Sequence, residues 1–237
     1  MSLPSGQTKV HSAYFSPASF GFLQRLAANN NRDWFLEHKA EYEALVRGPA
    51  LRFIEDIADE LATISPHFLA LPKKVGGSLM RVNRDVRFGH DKRPYKTNIG
   101  IQFRHEMGKD IHAPGFYLHI EKDDCFIGVG IWKPDSKTLG QIRDGLLLRS
   151  GEWENIADKS DFYQYFELVG ESLKNAPRGY AKDHPMIDDL KRKDFIGIAP
   201  VSEALITSDE LVAEVADYFR HGDPLMRFLC RSLALRY

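Results

Sequence analysis

The segment GFYLHIEKDDCFIGVGIW, residues 115–132, decides the fold class. Phe116, Leu118 and Ile120 alternate with more polar neighbours, which is the period of a β-strand with one buried face. A short polar turn follows, and the apolar run 125–132 then begins at once. Two strands separated by so short a turn are typical of a β-hairpin.

Two glycines in the second strand predict open space beside the sheet. Gly128 and Gly130 lie on the same strand face as Phe126 and Trp132. Positions without a side chain allow a close neighbour, which is either a packed helix or a ligand. A packed helix is the more common neighbour, and the sequence leaves both open.

Two alternating runs precede the hairpin. In residues 78–83, Met80 and Val82 alternate with polar residues, and residues 99–104 repeat the pattern. The connections between consecutive runs are too short for crossover helices, which favours antiparallel pairing. We therefore expect an α+β fold with an antiparallel or mixed sheet.

Helical patterns flank the sheet on both sides in sequence. Ser16 is a suitable N-cap and Pro17 a suitable first helical residue, and apolar side chains then recur at helical spacing. We predict a flexible leader at residues 1–13 and one α+β domain at 14–237. Within the domain, residues 14–70 form a helical segment, and 75–237 contain the sheet and the C-terminal helices packed on it.

Composition indicates a globular protein without a membrane span. Of the 237 residues, 43% are hydrophobic and 27% charged, which is enough apolar material for a sizeable core. No window approaches ~18 consecutive apolar residues, and residues 1–10 lack the apolar core of a secretory signal. Cys125 and Cys230 lie in apolar segments, as buried free thiols do. These features predict a cytoplasmic protein.

Charge is concentrated in one stretch. Net charge is −1, which gives no global field toward nucleic acid or anionic membranes. Residues 73–104, however, hold nine Lys or Arg against only Asp85 and Asp91, a local balance of +7. At least some of these cations need partners from outside the stretch.

Two interpretations of this cluster remain open. Guanidinium and ammonium groups bind phosphate or carboxylate, so the cluster predicts a site for a small anionic ligand. Alternatively, the two aspartates pair with the arginines and the stretch is a structural salt-bridge network. The predicted ligand-binding residues are Arg81, Arg84, Asp85, Arg87, Asp91, Lys92, Tyr95, Lys96, Asn98, His119, Trp132 and Arg143.

Within this set we expect different roles. The anion would be held by Arg81, Arg84, Arg87, Lys92 and Lys96. Tyr95, His119 and Trp132 would flank it. Arg143 adjoins the apolar stripe of a later helix, where it either snorkels at the core edge or points to the site. If the protein is an enzyme, Asp85 or Asp91 is the expected general base.

No standard catalytic signature accompanies the cluster. The chain lacks a phosphate-binding loop, a dinucleotide fingerprint, a nucleophile elbow and a zinc-protease motif. Its nine histidines do not have the spacing of a closed metal site. We therefore predict no metal and no cofactor, although a metal site assembled from distant segments stays open. The sequence also leaves open the existence of a reaction and the oligomeric state.

Two other function classes stay open. The basic stretch with Phe88 and Tyr95 could bind a nucleic-acid backbone and stack on bases, or bind a protein partner. A sequence pI of 6.8 and the lack of a recognised binding motif make nucleic acid the weaker choice. The remaining alternative is a structural domain without a site.

The basic stretch also carries a family resemblance. The runs RDVRF at 84–88 and DKRPYKTN at 91–98 resemble a family of microbial conserved hypothetical proteins, a domain of unknown function. Supporting matches are NNRDWF at 30–35, GFYLHI at 115–120, GIWKP at 130–134, PRGY at 177–180 and DHP at 183–185. The resemblance covers roughly residues 15–230, implies a single α+β domain and implies no reaction.

Overall fold

Among the residues that the structure describes, six antiparallel strands form one sheet, which confirms the α+β prediction. The computed structural model describes residues 13–87, 90–108, 113–156 and 162–237, so the predicted leader lies almost wholly outside it. The strands are β1 (Phe68–Leu69), β2 (Ile99–His105), β3 (Gly115–Ile120), β4 (Phe126–Ile131), β5 (Glu167–Val169) and β6 (Phe195–Pro200). Their order across the sheet is β1-β2-β3-β4-β6-β5.

The predicted hairpin is the centre of this sheet. β3 and β4 pair with Phe116 opposite Val129 and Leu118 opposite Ile127. The turn between them reverses through Asp123, whose φ of 62° lies in the left-handed region. β6 then pairs with the free side of β4, which brings a distant part of the sequence beside the hairpin.

The strand predicted at residues 78–83 is wrong. This segment makes only isolated bridges, from Leu79 to Ile101 and from Asn83 to Tyr95. It leaves the sheet edge after Met80 and closes on itself, since the Lys96 amide donates to the Val82 carbonyl at 2.7 Å. Alternating apolar side chains are buried here by a folded-back loop rather than by a strand.

Helices surround one face of the sheet. They are α1 (Pro17–Ala28), α2 (Arg32–Glu37), α3 (Lys39–Tyr42), a π-helical turn (Glu43–Arg47), α4 (Gly48–Asp56), α5 (Ala58–Ile64), α6 (Ser136–Leu148), α7 (Ser150–Glu154), α8 (Phe162–Tyr165), α9 (Ile187–Lys191), α10 (Glu203–Ile206), α11 (Leu211–His221) and α12 (Asp223–Ser232). As predicted, Ser16 caps α1 and Pro17 is its first residue.

The core lies between these helices and the alternate residues of the strands. Phe116 of β3 packs against Phe219 of α11 with ring centroids 4.7 Å apart. Cys125 and Cys230 are buried free thiols, as expected. None of the helices in the described ranges combines the length and apolar character that a membrane crossing requires. The helices thus cover one face of the sheet. The strand side chains that alternate with the core residues point to the opposite face.

Candidate functional site

A cavity of about 580 Å³ lies on the sheet face opposite the helices. Its floor is formed by outward positions of β3, β4 and β6, including Tyr117, Phe126, Ile196 and Ile198. The loop that carries the basic stretch covers one end. The cavity thus joins an apolar floor to a charged wall.

Gly128 and Gly130, which line the cavity floor, differ in whether a Cβ would fit at their positions. Gly130 has a φ of 126°, and a Cβ there would lie 2.0 Å from the Phe195 carbonyl oxygen, so the backbone requires it. A Cβ on Gly128 would only touch Ile198 Cδ1 at 3.5 Å, an ordinary contact. None of the residues that line the cavity belongs to a helix of the described chain, so a packed helix is not what Gly128 accommodates.

Lys96 forms the charged end of the cavity. Its ammonium is half-buried and lies 3.8 Å from the Met80 sulfur. Among the residues that the structure describes, no carboxylate forms an ion pair with it. Burial lowers the pKa of Lys96, and the positive charges of Arg81 and Arg84 lower it further.

The other cations of the stretch are largely paired internally. Asp91 accepts hydrogen bonds from both Arg84 and Arg93, the latter at 2.7 Å. Asp85 holds Arg87 through two bonds of 2.9 and 2.7 Å. The structural-network interpretation therefore describes these three arginines, whereas Lys96 has no described carboxylate partner.

These pairs also bear on the predicted general base. Hydrogen bonds from Arg93 and Arg84 hold the pKa of Asp91 well below its usual range. Those from Arg87 lower the pKa of Asp85 to about 2. Carboxylates that bind protons so weakly are poor bases near neutral pH, which disfavours both in that role.

The cavity brings together half of the predicted ligand-binding residues. Those that line it are Arg84, Asp85, Lys96, Asn98, His119 and Trp132. Those that do not are Arg81, Arg87, Asp91, Lys92, Tyr95 and Arg143.

The residues outside the cavity have other partners or stay at its margin. Tyr95 is buried and its ring stacks on Phe35 at 4.1 Å. The Lys92 ammonium donates to the Val86 carbonyl at 3.0 Å. Arg81 is exposed, although its charge acts on Lys96.

Arg143 has a structural contact instead of a place in the site. Its Nε donates to the Leu190 carbonyl at 2.8 Å, and Nη2 lies 3.4 Å from the Arg192 carbonyl. These acceptors belong to the end of α9, where helix carbonyls lack intrahelical partners. Arg143 therefore caps α9.

A hydrogen-bonded group adjoins the charged end. His119 Nδ1 lies 3.0 Å from the Tyr117 hydroxyl and 3.3 Å from Asn98 Nδ2. His119 Nε2 lies 3.4 Å from Glu121 Oε2, and Thr97 donates to Glu121 Oε1 at 2.6 Å. The ring of His119 also stacks on Phe126 at 4.5 Å. Burial lowers the pKa of His119, which favours the neutral imidazole.

Several of these residues are absent from the ligand-binding residues that the sequence predicts. Tyr117 and Glu121 flank His119 at spacings of two, so all three share the outward face of the strand, a signal that the alternation contains. Ile196 and Ile198 gave no such signal because β6 pairs with β4 across a long stretch of sequence.

Comparison with known proteins gives the chain a family. No curated protein and no solved structure matches it. The profile of the family described as "Conserved hypothetical protein (DUF2461)" matches residues 18–228, most of the chain. The expected membership of a domain-of-unknown-function family is confirmed. The chain belongs to the conserved hypothetical protein family DUF2461.

Proposed function

We propose that the protein binds a small anionic ligand that also carries an apolar or aromatic portion, in the cavity on the open face of the sheet. The observation that carries this proposal is Lys96, a half-buried ammonium that no described carboxylate neutralises. A phosphate or carboxylate beside it would supply the missing partner.

The local charge balance supports an anion. Removing a charged group from water is costly unless an opposite charge or hydrogen bonds compensate it. Arg84 and Asp85, which line the cavity beside Lys96, are paired with Asp91 and Arg87, whereas Lys96 has no described carboxylate partner. The cavity wall therefore keeps an excess of positive charge.

The floor supports an apolar portion of the ligand. Phe126, Trp132, Ile196 and Ile198 offer aromatic and aliphatic surface, and Gly128 leaves space above the sheet. A volume of about 580 Å³ falls within the range of small-molecule sites, about 300–1,000 Å³. Convergent polar groups at one end of such a surface orient a ligand, and the apolar part adds affinity.

Three probes test this combination by isothermal titration calorimetry. We expect phenyl phosphate to bind more tightly than inorganic phosphate, because only the former covers the floor. Phenol, which lacks the anion, should bind more weakly than phenyl phosphate. Equal affinity for phenyl phosphate and inorganic phosphate would show that the apolar floor does not contribute to binding. If phenol binds as tightly as phenyl phosphate, the anionic group does not contribute to binding.

A further inference from the structure

We propose that His119, Glu121 and Asp124 bind a divalent transition-metal ion at the rim of the cavity. This metal site uses residues other than Lys96 and does not rest on the anion proposal, although His119 lines the same cavity. The three donors come from one short segment, the end of β3 and the turn that follows.

The hairpin geometry brings the donors together. His119 and Glu121 are two residues apart, so they project from the same strand face. The turn through Asp123, with its φ of 62°, returns Asp124 to that side. One nitrogen or oxygen from each of the three side chains lies within 4.8 Å of the others. Ligand atoms on a common ion at ~2.1 Å lie about 3 to 4 Å apart, so small movements of the side chains complete the site.

The two carboxylates among these three donors favour a bound cation. The carboxylates of Glu121 and Asp124 approach each other, and no Lys or Arg of the described ranges forms an ion pair with either. Lys122, in the same turn, is engaged by Asp123 at 3.0 Å and by Glu203 at 2.7 Å. The nearby guanidinium of Arg93 is held by Asp91. A metal ion would neutralise the two acids that the protein leaves together.

Neighbouring groups already orient two of the donors. Thr97 donates to Glu121 Oε1 at 2.6 Å, which leaves Oε2 toward His119 Nε2 at 3.4 Å. With a metal on Nε2, the proton of His119 resides on Nδ1 and is donated to the Tyr117 hydroxyl, 3.0 Å away, while the Asn98 amide, 3.3 Å from Nδ1, donates to that hydroxyl instead of to the imidazole. Metal-binding histidines commonly donate their second ring N–H in this way. The Thr97 and Tyr117 contacts thus hold Glu121 Oε1 and His119 Nδ1, and the ion would replace the 3.4 Å contact between Oε2 and Nε2.

The donor set defines the class of ion. One imidazole nitrogen with two carboxylates suits Mn²⁺, Fe²⁺ or Zn²⁺, whereas Ca²⁺ and Mg²⁺ favour oxygen ligands alone. Three protein ligands leave further coordination positions for water or a ligand. Because His119 also lines the cavity, those positions are accessible from it.

Titration of the full-length, EDTA-treated protein with Mn²⁺ tests the site, with the free ion followed by electron paramagnetic resonance. We expect one Mn²⁺ to bind per chain and Zn²⁺ to displace it. Glu121→Gln and Asp124→Asn should each weaken binding at least about tenfold. The matched control is Asp123→Asn, which removes a carboxylate of the same turn that pairs with Lys122. It should leave Mn²⁺ binding unchanged.

Two results would overturn the metal site. One is no Mn²⁺ or Zn²⁺ binding by the folded wild-type protein at millimolar concentration. The other is equal weakening by Asp123→Asn and Asp124→Asn, which would show diffuse attraction to the acidic turn. Should Glu121→Gln fail to fold, Asp124 is exposed and its variant still decides the matter. A zinc-induced shift of the His119 Nε2 resonance in nitrogen NMR would identify the imidazole ligand directly.

Discussion

The ammonium of Lys96 lies 3.8 Å from the sulfur of Met80, at the charged end of a cavity with an apolar floor. Thioether sulfur is a weak acceptor, so this contact compensates little of the charge. The arginines on the same loop behave differently, because Asp85 and Asp91 hold three of them. One loop thus contains both a salt-bridge network and a lysine without a described carboxylate partner.

Anion affinity should fall as pH rises through the pKa of Lys96. Burial and the charges of Arg81 and Arg84 place that pKa below the ordinary value of 10.5, so the charge is lost at a lower pH than for an exposed lysine. Sulfate is a suitable probe because its own charge is constant from neutral to alkaline pH. Calorimetric titration of sulfate across that range measures the effect.

Lys96→Arg is the control for this pH dependence. A guanidinium stays charged throughout the range, so its affinity profile should be flat where that of the wild type declines. Parallel declines in the two proteins would assign the titration to another group, such as His119 or Tyr117.

Gly128 and Gly130 should respond differently to alanine. Gly130→Ala places a Cβ against the Phe195 carbonyl at a φ of 126° and should lower the free energy of unfolding by at least about 2 kcal/mol. Gly128→Ala meets only ordinary contacts and should change it by less than about 1 kcal/mol. Chemical denaturation measures both values.

A larger residue at Gly128 tests the floor. Gly128→Leu would occupy the space above the sheet, so phenyl phosphate should bind at least tenfold more weakly, about 1.4 kcal/mol, while inorganic phosphate is affected less. Unchanged affinity for phenyl phosphate in a folded Gly128→Leu protein would place the ligand elsewhere.

Arg143 should contribute to stability and not to binding. Arg143→Ala removes the donors to the Leu190 and Arg192 carbonyls and should lower the free energy of unfolding by about 1–3 kcal/mol. Phenyl phosphate affinity should stay within twofold of the wild type. A folded variant that loses binding would return Arg143 to the site.

The sequence predicted the sheet better than the site. Alternation around Phe116 and Val129 is a local signal, and the hairpin follows from it. The same alternation misled at residues 78–83, because a loop that folds back buries Val82 as well as a strand would. Local pattern alone does not distinguish these two environments.

The basic stretch shows where the prediction of the site stopped. Its excess charge drew attention to Arg84 and Lys96, and both line the cavity. Which cations are paired depends on how the loop folds: Asp91 reaches Arg84 across seven residues, and the aromatic ring of Tyr95 turns inward onto Phe35. The pairing of these charges and the direction of the Tyr95 ring depend on the tertiary structure, so residue spacing does not predict them.

The most direct test of the account compares two lysines of the same loop. Lys96 lines the cavity, whereas the Lys92 ammonium is bonded to the Val86 carbonyl outside it. Both substitutions remove one positive charge, so a general electrostatic effect would weaken phenyl phosphate binding equally. We predict that Lys96→Ala lowers the calorimetric affinity at least tenfold, about 1.4 kcal/mol, and that Lys92→Ala changes it less than twofold. Equal losses in the two folded variants, or no loss in Lys96→Ala, would contradict the assignment of Lys96 as the anion-binding residue.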